Sequence, residues 1–196
     1  MAQSRKFVLI LVGIPGSGKS TFASGLVRVS VVMPFSYILF IGFSITLGSF
    51  SKRAPWKYER VNQDTLGNRR ECEDLTRKIL RKKKIPIIDR CNFNPQQRQY
   101  WIDIARSVRA SYECIVFSYT VEVCIRRCQQ RTNHETISAR NAAAVVRRMA
   151  REFEPPVPLH GANNNARCRN GEFFHRIQYV SSFEMSDDLV EEYLDR

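Results

Sequence analysis

The sequence predicts one three-layer α/β domain with a mostly parallel sheet between two layers of helices. Short apolar runs typical of buried strands alternate along the chain with helical patterns, as in repeated β-α units. Composition does not change in a way that would mark a second domain, and 196 residues suit one domain with an ample core. In a sheet of this kind a ligand binds at the carboxyl ends of the strands.

A glycine-rich loop joins the first predicted strand, residues 7–12, to the first helix. The loop reads GIPGSGKST and fits the pattern G-x4-G-K-[ST]. Its glycines let backbone N–H groups converge on phosphate oxygens, and the helix that starts at about Lys19 directs its positive end at the same anion. The predicted nucleotide contacts are Gly13, Pro15, Gly16, Ser17, Gly18, Lys19, Ser20 and Thr21.

Two side chains of this loop have separate chemical roles. Lys19 supplies a mobile cation for the β- and γ-phosphates of ATP, and the Ser20 hydroxyl is placed for Mg²⁺. An ordinary glycine-rich turn is the alternative, but a strand before the loop and a helix after it are both readable. The sequence therefore predicts a P-loop NTPase-like domain that binds ATP and Mg²⁺.

The run from Val29 to Ser51 contains no charged residue and has the length and apolarity of a transmembrane candidate. A span here would separate the phosphate loop from the remaining strands of its own sheet, so we expect no stable membrane span. Three interpretations stay open: an apolar hairpin or helix packed on the domain, a re-entrant membrane anchor, or a segment foreign to the working protein. We favour the last, with translated non-coding sequence as the hypothesis.

The next two predicted strands lead to aspartates. Residues 59–63 predict a strand that ends at Asp64, which is placed to accept a proton from an alcohol beside the γ-phosphate. Residues 85–89 predict a buried strand closed by Asp89, which could hold Mg²⁺ through water or fix Ser20. The alternatives are structural: Asp64 could cap the turn before the next helix, and Asp89 could cap Asn92 and Asn94.

The helix predicted from about Asn68 to Lys83 carries a basic stripe at helical spacing, and a solvated face is its default interpretation. The stripe comprises Arg70, Arg77, Arg81 and Lys84. Asn94 and Pro95 predict the start of another helix, which runs to about Val108. Further along, we expect a strand at 114–117, a helix from 121 to about 131 after Thr120, and a helix capped by Ser138. Residues 155–171 are loop-like, 176–180 form a last strand, and an acidic helix follows.

Arginines cluster where the helix from Val121 meets a polar break. Arg126, Arg127 and Arg131 lie at the position where P-loop kinases keep a helical lid that closes cations over the triphosphate. An exposed basic helix end, favourable for the helix dipole, is the alternative.

The chain has 31 Lys and Arg residues against 19 Asp and Glu residues, a formal net charge of +12. Such an excess favours phosphate-rich partners, although a solvated basic surface without a partner is the alternative. The six cysteines show no C-x2-C pairing, so we expect reduced thiols and an intracellular protein, in the nucleus or cytoplasm.

Taken together, these segments resemble the polynucleotide 5′-hydroxyl kinase group of P-loop kinases. The resemblance rests on residues 13–21, 61–67 and 87–94 and on the lid arginines, and it covers about residues 5–155 without the run at 29–51. The closest likeness is to the kinase domain of bifunctional polynucleotide phosphatase/kinases. The resemblance implies ATP-dependent phosphorylation of a 5′-hydroxyl at a DNA or RNA end.

The resemblance also implies roles for single residues. Asp64 matches the general base of the family, Lys19 and Ser20 match its phosphate and Mg²⁺ contacts, and Asp89 with Asn92 matches its Asp-x-Thr/Ser-Asn element. Arg127 or Arg131 would be the lid arginine, and Arg69 or Arg70 would reach a substrate phosphate. Cys91 departs from the usual Thr or Ser, and a thiol is a weaker donor that would support Asp89 less well.

Two other functions stay open. A kinase of the same fold could act on a sugar, a nucleoside or a similar alcohol. A non-catalytic or membrane-associated P-loop protein would result if the uncharged run displaced Asp64 from the phosphate loop, because a shift of about 1 Å can cost about a hundredfold in rate.

Overall fold

The computed structural model describes residues 6–29, 57–130, 137–157 and 172–196. The strands in these parts are β1 (Phe7–Val12), β2 (Tyr58–Asn62), β3 (Ile85–Asp89), β4 (Ser111–Phe117) and β5 (Arg176–Val180). They form one sheet in the order β2-β3-β1-β4-β5, and every neighbouring pair is parallel. The predicted α/β class with a mostly parallel sheet is confirmed.

The helices in the same parts are α1 (Lys19–Val29), α2 (Gln63–Leu66), α3 (Arg69–Arg81), α4 (Pro95–Ser107), α5 (Val121–Gln130), α6 (Ala142–Arg151) and α7 (Phe183–Asp195). Helices α3 and α4 cover one face of the sheet, while α1 and α7 cover the other. All six residues of β1 are buried, because successive side chains point to opposite faces and both faces are covered.

Helices α5 and α6 form a third apolar cluster outside the two sheet faces. Cys124 and Cys128 of α5 pack against Val146 of α6, and Ile14 of the phosphate loop completes the cluster. This helix pair therefore lies directly on the loop that the sequence assigns to nucleotide binding.

Several elements begin or end where the sequence predicts. β1, β3 and β5 have the predicted bounds, and α1 begins at Lys19. Helix α4 begins at Pro95, and the Asn94 side chain caps it by accepting from the Gln97 N–H at 3.0 Å. These signals are local, so the chain segment alone determines them.

Other bounds differ from the prediction for tertiary reasons. β4 begins at Ser111 rather than at residue 114, so it includes Glu113, which looks unsuited to a buried strand. The Glu113 carboxylate accepts hydrogen bonds from Arg196 at 2.7 and 2.8 Å and from the Tyr193 hydroxyl at 2.9 Å. Ser138 accepts from the Asn141 N–H at 3.4 Å in a turn, and the helix itself begins at Ala142.

Of the uncharged run at 29–51, only Val29 falls within the described residues, as the last residue of α1. Residues 153–157 carry neither helix nor strand, and the rest of the predicted loop at 155–171 lies outside the described residues. Among the helices of the described ranges, none has both the length and the apolarity needed to cross a membrane.

Candidate active site

The phosphate loop lies at the carboxyl end of β1 and holds Lys19 at its centre. The Lys19 ammonium donates to the carbonyls of Gly13 and Ile14, both at 2.9 Å, and to the Ser17 hydroxyl at 3.3 Å. The side chain is only 6% exposed. An ammonium has three donors, so a phosphate that binds here must replace at least one of these acceptors.

Glycines at 16 and 18 serve different needs. Both have a positive φ, 82° and 97°, which disfavours residues with a Cβ. At Gly16 a Cβ would also lie 2.4 Å from the Cys124 carbonyl of α5, whereas at Gly18 it would meet nothing within 4 Å. Gly16 therefore permits the close contact between the loop and α5, and Gly18 leaves the space in front of the loop open.

Asp89 is the acidic centre of the site. The residue is 4% exposed, and its Oδ1 accepts from the Ser20 hydroxyl at 3.2 Å. Its Oδ2 accepts from Arg60 at 2.7 Å and from the Asn62 amide at 3.0 Å. Among the contacts of the described residues, Asp89 caps neither Asn92 nor Asn94, so the link to Ser20 prevails over the capping alternative.

Cys91 does not weaken this arrangement. Ser20, Arg60 and Asn62 supply three partners to Asp89, so the thiol at position 91 is not needed for its support. The backbone carbonyl of Cys91 accepts from the Gly13 N–H at 2.9 Å and joins the loop after β3 to the phosphate loop. This contact is independent of the side chain.

Asp64 lies beyond the end of its strand. β2 stops at Asn62, whose side chain accepts from the Thr65 N–H at 3.1 Å and caps the short helix α2. Asp64 is an exposed residue of α2, so the prediction that it ends β2 is wrong in its local structure. Asn62 and Asn68 cap α2 and α3, so the capping role considered for Asp64 belongs to other residues.

A cavity of about 360 Å³ brings the predicted groups together at this edge of the sheet. Lys19, Ser20, Asp64 and Asp89 all line it. The crevice therefore contains an ammonium, a hydroxyl and two carboxylates from the first three strand–helix connections of the chain. The uncharged run lies outside the described residues, apart from Val29. The four groups line one cavity in the chain that contains this run.

Two further cations line this cavity, and the sequence did not single them out. Arg90 follows Asp89 directly, and burial lowers the pKa of its guanidinium, with the charge of Arg69 acting in the same direction. Arg148 reaches the cavity from α6 together with Val145 and Met149. The apolar periodicity of α6 predicted its buried stripe, but only the packing of α6 on the crevice shows which arginine faces the site.

Arg127, predicted as a lid arginine, lies between two aromatic rings. Its guanidinium is 4.3 Å from the ring centre of Tyr119 and 4.6 Å from that of Phe183, and it donates to the Gly16 carbonyl at 3.5 Å. Arg127 therefore contacts the phosphate loop but does not line the cavity that contains Asp64. Arg131 lies outside the described residues.

The two predicted substrate arginines differ in their surroundings. Arg69 forms an ion pair with Glu73 at 2.9 Å, and its guanidinium lies 4.0 Å from the ring centre of Tyr100. Arg70 is exposed, and neither arginine lines the cavity directly. Of Arg69, Arg70 and Arg90, only Arg90 lines the cavity.

A buried arginine supports the wall of the crevice. Arg98 is fully buried and donates to both carboxylate oxygens of Glu172, at 2.6 and 3.1 Å. It also donates to the carbonyls of Asn92 and Glu154, at 3.0 and 2.9 Å. Asn92, in turn, has a positive φ of 46° and donates to the Leu11 carbonyl at 2.8 Å, which fixes the loop after β3 against β1.

The parallel sheet, the phosphate loop after β1 and the cavity at the carboxyl edge define a P-loop domain with a kinase-like fold. A family model described as an AAA domain matches residues 8–156, and the chain belongs to this family. The match covers the phosphate loop, Asp64, Asp89 and Arg148, and it ends before β5 and α7.

Two curated relatives match parts of longer proteins. The chain is 28% identical over 195 residues to the transcription factor bHLH140 of Arabidopsis thaliana, which covers 97% of this chain and 18% of that protein. It is 32% identical over 108 residues to the bifunctional polynucleotide phosphatase/kinase of Schizosaccharomyces pombe, which covers 55% of this chain and 20% of that protein. The chain thus spans about a fifth of the length of these relatives.

Solved structures share the fold at low sequence identity. Kti12 of Chaetomium thermophilum, in complex with ADP-AlF3, superposes with a TM-score of 0.59 at 14% identity over 96% of this chain and 97% of that one. A fungal RNA kinase superposes with a TM-score of 0.56 at 14% identity over 98% of this chain and 44% of that one. These likenesses show the fold, and the substrate is a separate question.

Proposed function

We propose that this protein is an ATP-dependent kinase that phosphorylates the 5′-hydroxyl of a DNA or RNA end. The observation that carries the proposal is the shared cavity of Lys19 and Asp64. A phosphate grip and an exposed carboxylate face the same space, so an alcohol beside the γ-phosphate lies within reach of a base.

Each residue of the cavity has a role in the proposed transfer. Lys19 and the phosphate loop hold the β- and γ-phosphates. Asp64 takes the proton of the 5′-hydroxyl as its oxygen forms a bond to the γ-phosphorus, while the bond from phosphorus to the β-phosphate oxygen breaks and ADP leaves. Arg148, from α6, and Arg90, after β3, line the same cavity and stabilise the charge on the transferred group.

Ser20 and Asp89 would hold Mg²⁺. Their oxygens lie 3.2 Å apart on the cavity wall, and hydroxyl and carboxylate oxygens are ligands that this ion accepts. A bound Mg²⁺ supplies neutralising charge to the β- and γ-phosphate oxygens. Arg60 and Asn62 take the other oxygen of Asp89, which leaves Oδ1 directed at Ser20.

Two further observations support a nucleic acid as the acceptor. The formal net charge of +12 favours a polyanion over a neutral sugar. The named activity of the Schizosaccharomyces pombe relative includes a polynucleotide kinase, and its match spans about half of this chain.

The decisive experiment is a transfer assay with labelled ATP, a 5′-hydroxyl oligonucleotide and Mg²⁺. We expect label on the oligonucleotide for the unaltered chain, and a loss of kcat of about 10²- to 10⁴-fold for Asp64→Asn with ATP binding retained. Asp103→Asn, an exposed carboxylate on α4, is the matched control and should leave kcat unchanged. Label on sugars or nucleosides but on no oligonucleotide would reject the polynucleotide acceptor.

A further inference from the structure

Helix α3 carries a series of cations from its first turn, which follows the helix of Asp64, to its carboxyl end. Residues 75–84 contain six Lys and Arg residues and no acidic residue. Arg70, Arg77 and Arg81 recur at spacings of seven and four, which places them on one face of the helix. A solvated surface is the default interpretation of this stripe, and the catalysis proposed above uses none of its residues.

These three arginines of α3 differ from their neighbours in that they have no acidic partner within the described parts of the chain, whereas the cations on either side of them form ion pairs. Arg69 is paired with Glu73 at 2.9 Å, and Lys84 is paired with Glu59 at 2.5 Å. Between them, several cations have no side-chain partner among the described residues, and the acidic residues Glu71 and Asp74 lie only in the first half of the helix. These cations, called the α3 track below, comprise Arg70, Arg77, Arg81, Lys82 and Lys83.

The α3 track has a measurable cost to the fold. Like charges at positions i and i+4, as at Arg77 and Arg81, oppose helix formation. Lys83 has a φ of 59° after the end of α3, where the Lys84 N–H donates to the Ile79 carbonyl at 3.2 Å. Glycine is the usual residue in this left-handed position, and a side chain there destabilises the turn. A helix dipole favours cations only in the last turn, so it does not account for the whole track.

The track begins beside the proposed active site. Asp64, which lines the cavity, lies in α2, and only Gly67 and Asn68 separate α2 from α3, so the first turn of α3 follows the cavity directly along the chain. From Arg70 to Arg81 the helix advances 11 residues, about 16 Å at the rise of an α-helix. Phosphates of one strand recur at about 3.4 Å along the axis when its bases are stacked as in a duplex, so the helical part of the track spans about five of them.

We propose that the α3 track binds the sugar-phosphate backbone of the acceptor strand, downstream of the 5′-end that enters the cavity. The proposal rests on the proposed function and specifies its substrate: an oligonucleotide of about six or more nucleotides, rather than a mononucleotide. Contacts of this kind position a strand without reading its sequence, so the track confers preference for length and not for base order.

Binding and catalysis test the track separately. Binding is measured by fluorescence anisotropy with labelled single strands of three and twelve nucleotides that already carry a 5′-phosphate and cannot react. Arg77→Gln, Arg81→Gln and Lys83→Gly should each weaken the twelve-nucleotide complex and leave the three-nucleotide complex unchanged. Each should reduce the slope of log affinity against log salt by about 0.7 in magnitude, the value for one phosphate contact on a single strand.

Two variants separate this role from fold stability and from net charge. Lys83→Gly places glycine at a left-handed position, so its Tm should not fall even as binding weakens. Arg28→Gln removes one charge from α1, on the opposite face of the sheet, and should not change binding. In the transfer assay, Arg81→Gln should raise the KM of the twelve-nucleotide acceptor at constant kcat.

Several outcomes would overturn the track. They are equal binding of both strand lengths by the unaltered chain, equal weakening by Arg28→Gln and Arg81→Gln, or, in a parallel sedimentation assay with phosphatidylserine vesicles, track variants that lose vesicle binding while they still bind the twelve-nucleotide strand. The unaltered chain could also transfer no phosphate to any oligonucleotide while the three track variants bind the twelve-nucleotide strand more weakly than it does. In that case the proposed activity is wrong and the proposed role of the α3 track is supported.

Discussion

The side-chain amide of Asn62 donates to Oδ2 of Asp89 at 3.0 Å, and the two residues face each other at the ends of β2 and β3. The carbonyl oxygen of the same side chain caps α2 by accepting from the Thr65 N–H. One amide therefore links the carboxylate proposed to hold Mg²⁺ to the helix that carries the proposed base, Asp64. The relative position of the two acidic groups depends on this residue.

Asn62→Ala should lower both kcat and stability. It removes the bond to Asp89 and the cap of α2, with a stability loss of about 1–2 kcal/mol and displacement of Asp64. Asn68→Ala removes an equivalent cap, at the exposed start of α3, and should cost about 1 kcal/mol without reducing kcat. Thermal unfolding and single-turnover transfer measure the two effects, and equal kcat losses in both variants would contradict the role of Asn62.

Arg148→Gln should reduce kcat with little change in the affinity for ATP. Its guanidinium lines the cavity, where a cation stabilises charge that develops on the transferred phosphoryl group. Arg147→Gln is the matched control, because Arg147 is exposed on the same helix and does not line the cavity. Steady-state kinetics with varied ATP compares them, and a control as slow as Arg148→Gln would assign the effect to net charge.

Gly16→Ala should destabilise the protein more than Gly18→Ala. Both changes introduce strain at a positive φ of about 1–2 kcal/mol. Only the first forces a Cβ against the Cys124 carbonyl, which adds an overpacking cost of about 1–3 kcal/mol and moves α5 from the loop. Differential scanning fluorimetry of the two variants gives the comparison, and the reverse order of Tm would show that the contact with α5 is not tight.

Cys91 should be alkylated by iodoacetamide before Cys72 and Cys114. Burial raises the pKa of the Cys72 and Cys114 thiols, so few thiolates form there near neutral pH. Cys91 is half-buried and lines the cavity, so ATP should slow its modification. Peptide mapping by mass spectrometry follows the rates of alkylation.

Cys91→Ser should keep its transfer activity, because Asp89 has three other partners.

Arg98→Met should be strongly destabilising, by about 3–5 kcal/mol, because it breaks the buried ion pair with Glu172. The double variant Arg98→Met/Glu172→Met should recover part of this loss, since it also removes the buried carboxylate. Urea unfolding of the two variants measures the difference. A double variant no more stable than the single one would show that the loss comes mainly from the carbonyls of Asn92 and Glu154, whose donor both variants lack.

The sequence predicts those parts of the fold and site whose signals are local. The loop from Gly13 to Thr21 carries its own pattern, and Asn94 with Pro95 marks the start of α4 without reference to the rest of the chain. The roles proposed from those patterns for Lys19 and Asp64 stay predictions, but the cavity brings both residues together.

The remaining features depend on partners that are distant in the chain. Glu113 is accommodated in β4 by Arg196, from the last helix, and the sequence gives no sign of that pairing. Arg60 is an ordinary polar position of a strand until β3 places Asp89 beside it. Arg148 lies at the cavity because α6 packs on α5. The apolar periodicity therefore predicts the helix but not which of its arginines faces the cavity.

The segment after α6 is pinned to the wall of the crevice. The Glu154 N–H donates to the Phe93 carbonyl at 2.8 Å, and the Glu154 carbonyl accepts from the buried Arg98. The carboxyl end of α6 is thereby anchored to the loop after β3. Arg148 lies three residues before that end, so the same two bonds that hold the chain after the helix also keep this cation at the cavity.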